Sequence, residues 1–164
     1  TNIFPVHTVR ENVWLAAQSR LGNSMDFLRP ADRHRRIAEL TDRALADCNL
    51  SARAGILARN LSHGEQRQLE IGMILATEPR LLLLDEPMAG MSPEESNRLL
   101  DLLRTLRAGH TIVLIEHDMD VVFAISDVIT VMVNGQELET GRPEAIRDSE
   151  AVRNAYLGDE EIPE

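Results

Sequence analysis

"LSHGEQRQLEIGMILATEPRLLLLDEP", residues 61–87, changes character twice. A polar, Gly-containing turn opens a predicted helix over about 63–77, and Pro79 stops it. An apolar run at 81–86 then reads as a strand ending in two adjacent carboxylates, Asp85 and Glu86. A second apolar strand, "TIVLIE" at 111–116, follows a helix expected over 93–108, with Ser92 as its N-cap and Pro93 at its first position. An exposed strand face would alternate apolar with polar residues, so two continuous apolar strands, each followed by a helix, predict a parallel sheet buried on both faces. The fold class is α/β.

On the N-terminal side, Thr8 stands three residues before Glu11, a capping-box spacing, and Val9, Val13 and Ala16 or Ala17 share one face of a helix over about 8–20. "GNSMDFLRP" at 22–30 has the composition of a loop. Helical spacing returns through Ile37, Leu40, Ala44 or Leu45, and Cys48, so the first 60 residues are expected to be wholly helical. On the C-terminal side, a helix runs from Asp118 to about Ser126, and "VITVMVNGQELET" predicts a hairpin turning at Asn134-Gly135. Two short helices, near 143–148 and 149–157, close the chain. The resulting division is a helical subdomain at 1–60, a core segment at 61–142, and C-terminal helices with a tail at 143–164.

The 164 residues are 43% hydrophobic, enough for one domain with a buried core. A net charge of −10, with the basic residues dispersed, argues against nucleic acid as the partner. The local run Arg33, Arg35 and Arg36 reads as a solvated helix face. The single cysteine, Cys48, reads as a small core residue and fits a reducing compartment. No apolar run reaches the roughly 18 residues that span a bilayer, and no leader pattern opens the chain, so any membrane link is expected to come through a partner.

Ligands collect at the carboxyl ends of strands in open parallel sheets. Asp85 and Glu86 there could hold a magnesium ion through one carboxylate and polarise a water through the other; alternatively, Asp85 merely caps the next turn. Glu116, His117 and Asp118 end the second strand, and a lone histidine in that position is more often a surface or capping residue. "LSHGEQ" places Ser62 and the following amides at a helix N-terminus, which attracts anions, with Gly64 allowing close backbone approach. Its plain alternative is an ordinary N-cap.

In their order and spacing, "LSHGEQRQLEI", "LLLLDEP", "AGMS" and "IEHD" resemble the ATP-binding-cassette ATPases, over about residues 3–158. The resemblance implies the rear part of a P-loop NTPase core behind a helical subdomain. Residues 61–66 (Leu61, Ser62, His63, Gly64, Glu65 and Gln66) resemble the signature motif, with His63 replacing the first glycine of its usual Gly-Gly pair. By resemblance, Ser62 and Gly64 contact the γ-phosphate of ATP held mainly by a second protomer, Asp85 serves Mg²⁺, and Glu86 is the general base. Ala89, Gly90, Met91 and Ser92 match the D-loop, with Ser92 where many members carry aspartate, and His117 matches the switch histidine. A metal-bound aspartate, a water-orienting glutamate and amide donors suit phosphoryl transfer, which needs mostly positioning and charge neutralisation.

"TNIFPVHTVRENV", "DEPMAGMSPEES", "LIEHDMDVVFAISDVITVMVNGQ" and "AYLGD" resemble, more narrowly, the ATPases of branched-chain amino acid importers. That group implies a homo- or heterodimer of ATPases beneath two membrane permeases, served by a soluble substrate-binding protein, on the cytoplasmic face of the plasma membrane. Urea and amide importers and lipopolysaccharide exporters look similar. Ile3, Phe4 and Val6 would meet the permease, or simply staple the core.

The chain departs from the family in one respect: it contains no lysine and no G-x-x-x-x-G-K-[ST] cradle, and it begins where the Q-loop would already have passed. The expectation is a segment that binds ATP weakly and hydrolyses it negligibly alone, within an active parent. A catalytically silent short form that pairs with a full ATPase is the alternative from another class. A nucleic-acid ATPase of the same superfamily is disfavoured by the acidic balance.

Overall fold

The computed structural model describes residues 3–20 and 30–157, with side chains described at 3–20 and 34–155. The chain divides into two compact units, Thr1–Ile115 and Glu116–Glu164. Most of the expected loop at 22–30 and part of "AYLGD" lie outside the described residues.

In the first unit, α1 (Val9–Arg20) starts at the expected box: Thr8 N–H donates to Glu11 Oε2 at 2.7 Å, and Glu11 N–H donates to Thr8 Oγ1 at 3.2 Å. Val9, Val13 and Ala17 are buried along one face. Asn12, also fully buried, accepts from Phe4 N–H at 2.7 Å and donates to the carbonyls of Phe4 at 3.0 Å and Thr8 at 2.9 Å. One amide therefore fixes the turn that leads into α1. Helix α2 (Pro30–Asp47) buries Ile37, Leu40, Ala44 and Leu45 and ends in a Schellman turn. Asn49 adopts φ 58°, and Leu50 N–H reaches back to Leu45 O at 2.8 Å. Arg35 and Arg36 are exposed, pairing with Glu39 and Glu78 respectively.

The expectation that residues 1–60 are wholly helical is corrected by the segment 51–60. It forms two 3₁₀ turns, Ser51–Arg53 and Ala58–Asn60, and Leu57 makes a β-bridge with Thr8. The cause is at the start of α1, where the first amides lack intrahelical partners. Val9 N–H donates to Ile56 O at 2.9 Å and Arg10 N–H to Ala54 O at 3.0 Å, holding 54–57 extended or turned rather than helical.

Helix α3 (His63–Leu75) passes close to the end of α2, where a Cβ on Gly72 would stand 3.4 Å from Cys48 Sγ. Cys48 is fully buried, and burial pushes its thiol up to about 12. It is a core residue. Strands β1 (Leu81–Asp85) and β2 (Thr111–Ile115) pair in parallel, with Leu81 opposite Thr111 and Asp85 opposite Ile115. Between them, α4 (Pro93–Leu106) buries Leu99, Leu100, Leu102, Leu103 and Leu106.

The expectation of a sheet buried on both faces is also corrected. Leu82 and Leu84 are buried, whereas Leu83 is 69% exposed and Ile115 59% exposed. One face is covered, and the other, largely apolar, is open.

In the second unit, Asp118 caps α5 (Met119–Ile125) by accepting from Asp120 N–H at 3.0 Å. Strands β3 (Ile129–Val133) and β4 (Gln136–Gly141) form the expected hairpin, with Asn134 and Gly135 at φ 50° and 76°, the left-handed pair of a type I′ turn. Ile129 and Val131 pack with Ile146 of α6 (Pro143–Asp148) and Val152 of α7 (Glu150–Leu157).

Replacing Asn12 with Ala is expected to lower the unfolding free energy by about 3 kcal/mol, because it strands buried backbone partners. Urea denaturation measures this, and a loss below about 1 kcal/mol would contradict the stapling role.

Candidate functional site

Helices α3 and α4 begin alike. Ser62 accepts from Glu65 N–H at 3.3 Å while Glu65 Oε2 accepts from Ser62 N–H at 3.0 Å, and Ser92 and Glu95 repeat the reciprocal pair at 3.3 Å in both directions. Each helix is closed by its own capping box. The two boxes are joined by Glu95. Its Oε1 accepts from the Ser62 hydroxyl at 2.8 Å and from Gly64 N–H at 3.0 Å.

Gly64 is needed for this approach, since an added Cβ would lie 3.0 Å from the Cβ, Cγ and Cδ of Glu95. Gly90 has φ 74°, and a Cβ there would come 3.9 Å from His63 Cε1, so the turn at 89–92 lies against the start of α3. Leu61 is buried beneath this junction; Gln66 Nε2 donates to Leu61 O at 3.2 Å, and Glu65 pairs with Arg53 at 2.9 Å. Ala89 N–H donates to Glu86 O and Met91 N–H to Met88 O, both at 3.2 Å. The expected residues at 61–66 and 89–92 are therefore neighbours.

Asp85 closes β1 and is exposed, lining a 460 Å³ cavity with Arg67, Glu70, Thr77 and Pro87. Glu86 follows at φ 42°, a left-handed conformation that side chains rarely adopt, with its N–H donating to Ile115 O at 2.9 Å. Strain of this kind concentrates at functional positions. In the second unit, the His117 side chain is 74% exposed, with Nδ1 4.0 Å from Oε2 of a Glu116 side chain that is 2% exposed.

Three hydrogen bonds hold the Glu95 carboxyl below its ordinary value of 4.5: first that of the Ser62 hydroxyl, then those of the Gly64 and Ser92 amides; the charge of His63 contributes least. A carboxyl depressed in the folded state adds stability that is present above pH 4.5 and is lost as pH falls through its folded value. The sequence predicted the two helix starts, but it gave no role to Glu95. Its one legible trace is the Ser92-to-Glu95 spacing.

Among the described residues, no group of three or more His, Cys, Asp or Glu could hold a metal. The donor set at Asp85 and Glu86 still suits magnesium, which commonly takes one or two carboxylates and completes its shell with water and phosphate oxygens. Ser62 Oγ and Gly64 N–H suit an anion. What the chain does not carry is a lysine cradle.

The ABC transporter family model matches residues 1–89. The chain belongs to the ABC transporter family. It is 41% identical to the high-affinity branched-chain amino acid transport ATP-binding protein BraF of Pseudomonas aeruginosa, over 96% of this chain and 64% of that protein. LivG of Escherichia coli K12, whose name carries the same description, matches with the same identity and coverage. Among solved structures, cbiO1 from Clostridium perfringens, part of the ABC transporter complex cbiONQ, superposes with a TM-score of 0.75 at 28% identity, over 95% of this chain and 59% of that one. This ABC family chain thus spans 64% of the length of BraF and of LivG. Among the described residues, no helix is long and apolar enough to cross a membrane.

Two outcomes are expected from this geometry. Ser92→Ala should cost about 1 kcal/mol by removing the N-cap, whereas Ser92→Asp should stay within about 0.5 kcal/mol because aspartate caps as well; thermal melts compare the two. Glu95→Gln should flatten the loss of stability on acidification below pH 4.5, measured by urea unfolding across pH, and an unchanged acid limb would contradict the assigned bonds.

Proposed function

We propose that this chain is the signature-bearing part of the ATP-binding subunit of an ABC importer for branched-chain amino acids or related solutes. The observation that carries the reading is the junction of two capped helix starts: Ser62 Oγ and Gly64 N–H converge on one carboxylate oxygen, a pair of donors suited to an anion. The 41% identity to BraF and LivG supports the solute class.

In this reading Leu61–Gln66 is the signature turn, and Ser62 and Gly64 donate to the γ-phosphate of ATP bound mainly by a second ATPase protomer. Asp85 holds Mg²⁺, whose positive charge offsets that of the phosphates. Glu86 accepts a proton from, and orients, the attacking water, and His117 donates to the γ-phosphate. Residues 89–92 form the D-loop, which carries contact between protomers to the signature turn. Phosphoryl transfer rests on this kind of positioning and charge compensation. The partner protomer supplies its own signature turn in return. The subunit sits beneath membrane permeases at the cytoplasmic face, served by a substrate-binding protein. Residues 1–60 form the permease-facing subdomain, in which Phe4 and Val6 are exposed. This chain by itself hydrolyses ATP negligibly, because it has no lysine to neutralise the β- and γ-phosphates.

In the full subunit, Glu86→Gln is expected to lower ATP turnover by about 10²-fold or more, with binding of a fluorescent ATP analogue retained. Turnover unchanged by this substitution would remove Glu86 from the reaction. In the reconstituted transporter, stimulation by leucine, isoleucine or valine supports the solute class; stimulation by urea alone would overturn it.

A further inference from the structure

We propose that Glu95 is a built-in competitor for the anion-binding donors of the signature turn, and that it must swing off Ser62 and Gly64 before those groups can engage the phosphate of a partner's nucleotide. The inference rests on the proposed function for the identity of the incoming anion. It deepens that reading by assigning a gate.

The geometry points to competition and not to support alone. A single carboxylate oxygen takes both donors, at 2.8 Å from the Ser62 hydroxyl and 3.0 Å from Gly64 N–H. The hydroxyl has one proton to give, and the amide has one. A phosphate oxygen seeking them meets a group of its own charge already bonded there. The Cβ, Cγ and Cδ of Glu95 stand 3.0 Å from the position of a Cβ on Gly64, so the side chain also fills the space over the turn. The same carboxyl keeps a second role when it leaves, since its Oε2 accepts from Ser92 N–H at 3.3 Å. The residue can thus give up the signature bonds and remain the capping residue of α4.

Charge explains the sign of the effect. Ionised acceptors bind donors more strongly than neutral amides do. Glutamine also completes a capping box. Glu95→Gln therefore weakens the competitor while keeping the helix start.

The test uses the full subunit and a non-hydrolysable ATP analogue with Mg²⁺, and reads the analogue concentration that half-saturates dimerisation by analytical ultracentrifugation. Glu95→Gln is expected to lower that concentration by about threefold to fivefold. Glu94→Gln, which removes an equal charge from the exposed neighbouring position, is expected to leave it within about 1.5-fold. Ser62→Ala is expected to raise it. An unchanged or raised value in Glu95→Gln, with Ser62→Ala still impaired, would overturn the gate and leave the proposed function standing. An equal gain in Glu94→Gln would also overturn it, by making the effect one of net charge. A wild-type subunit that does not pair with the analogue, or pairs unaffected by Ser62→Ala, would remove the proposed function and the gate with it.

Discussion

Two helices, α3 and α4, begin beside one another, and a carboxylate joins the two starts. Each N-terminus carries the partial positive charge of its aligned peptide dipoles and a set of amides without intrahelical partners. Brought together bare, the two ends would repel. The capping boxes of Ser62 with Glu65 and of Ser92 with Glu95 satisfy some of the amides, and the Glu95 bridge places negative charge between the ends. Gly64 follows from that arrangement, because a Cβ there would stand 3.0 Å from the Glu95 side chain, whereas Gly90 answers to its left-handed φ of 74°.

A second constraint comes from the strands. The parallel register of β1 and β2 aligns Asp85 with Ile115, so the acidic strand end stands at the sheet's carboxyl edge, where α/β folds gather ligands. The covered face, with Leu82 and Leu84, holds this register within the first unit. The opposite face exposes Leu83, Val113 and Ile115 beside Asp85 and Thr111. Apolar strand surface of this kind is a site of association.

Local rules made much of this legible. The capping spacings, Pro79, Pro93 and Asn134-Gly135 act over a few residues, and the elements they delimit appear where the sequence puts them. What escaped is non-local. The bonds from Ser62 and Gly64 to Glu95 join residues 33 and 31 positions apart, and nothing in either turn announces the other. Asn12 looks like a solvent-facing helical residue until the turn at Phe4 folds over it. The segment 51–60 has helical composition, but the free amides of α1 claim its carbonyls. Continuous apolar strands report how much cover a sheet requires; they do not report which segment supplies it. Glu86 is legible as a carboxylate after a strand, and its left-handed backbone is not.

In the proposed pairing, Ser62 Oγ and Gly64 N–H are the donors that receive a phosphate. The most direct measurement is a structure of the full subunit paired in the presence of Mg²⁺ and a non-hydrolysable ATP analogue. Both donors are expected within hydrogen-bonding distance of terminal phosphate oxygens, with Glu95 turned away and still capping α4. A paired, nucleotide-bound structure in which Glu95 retains both donors and the phosphate is met by other groups would contradict that expectation.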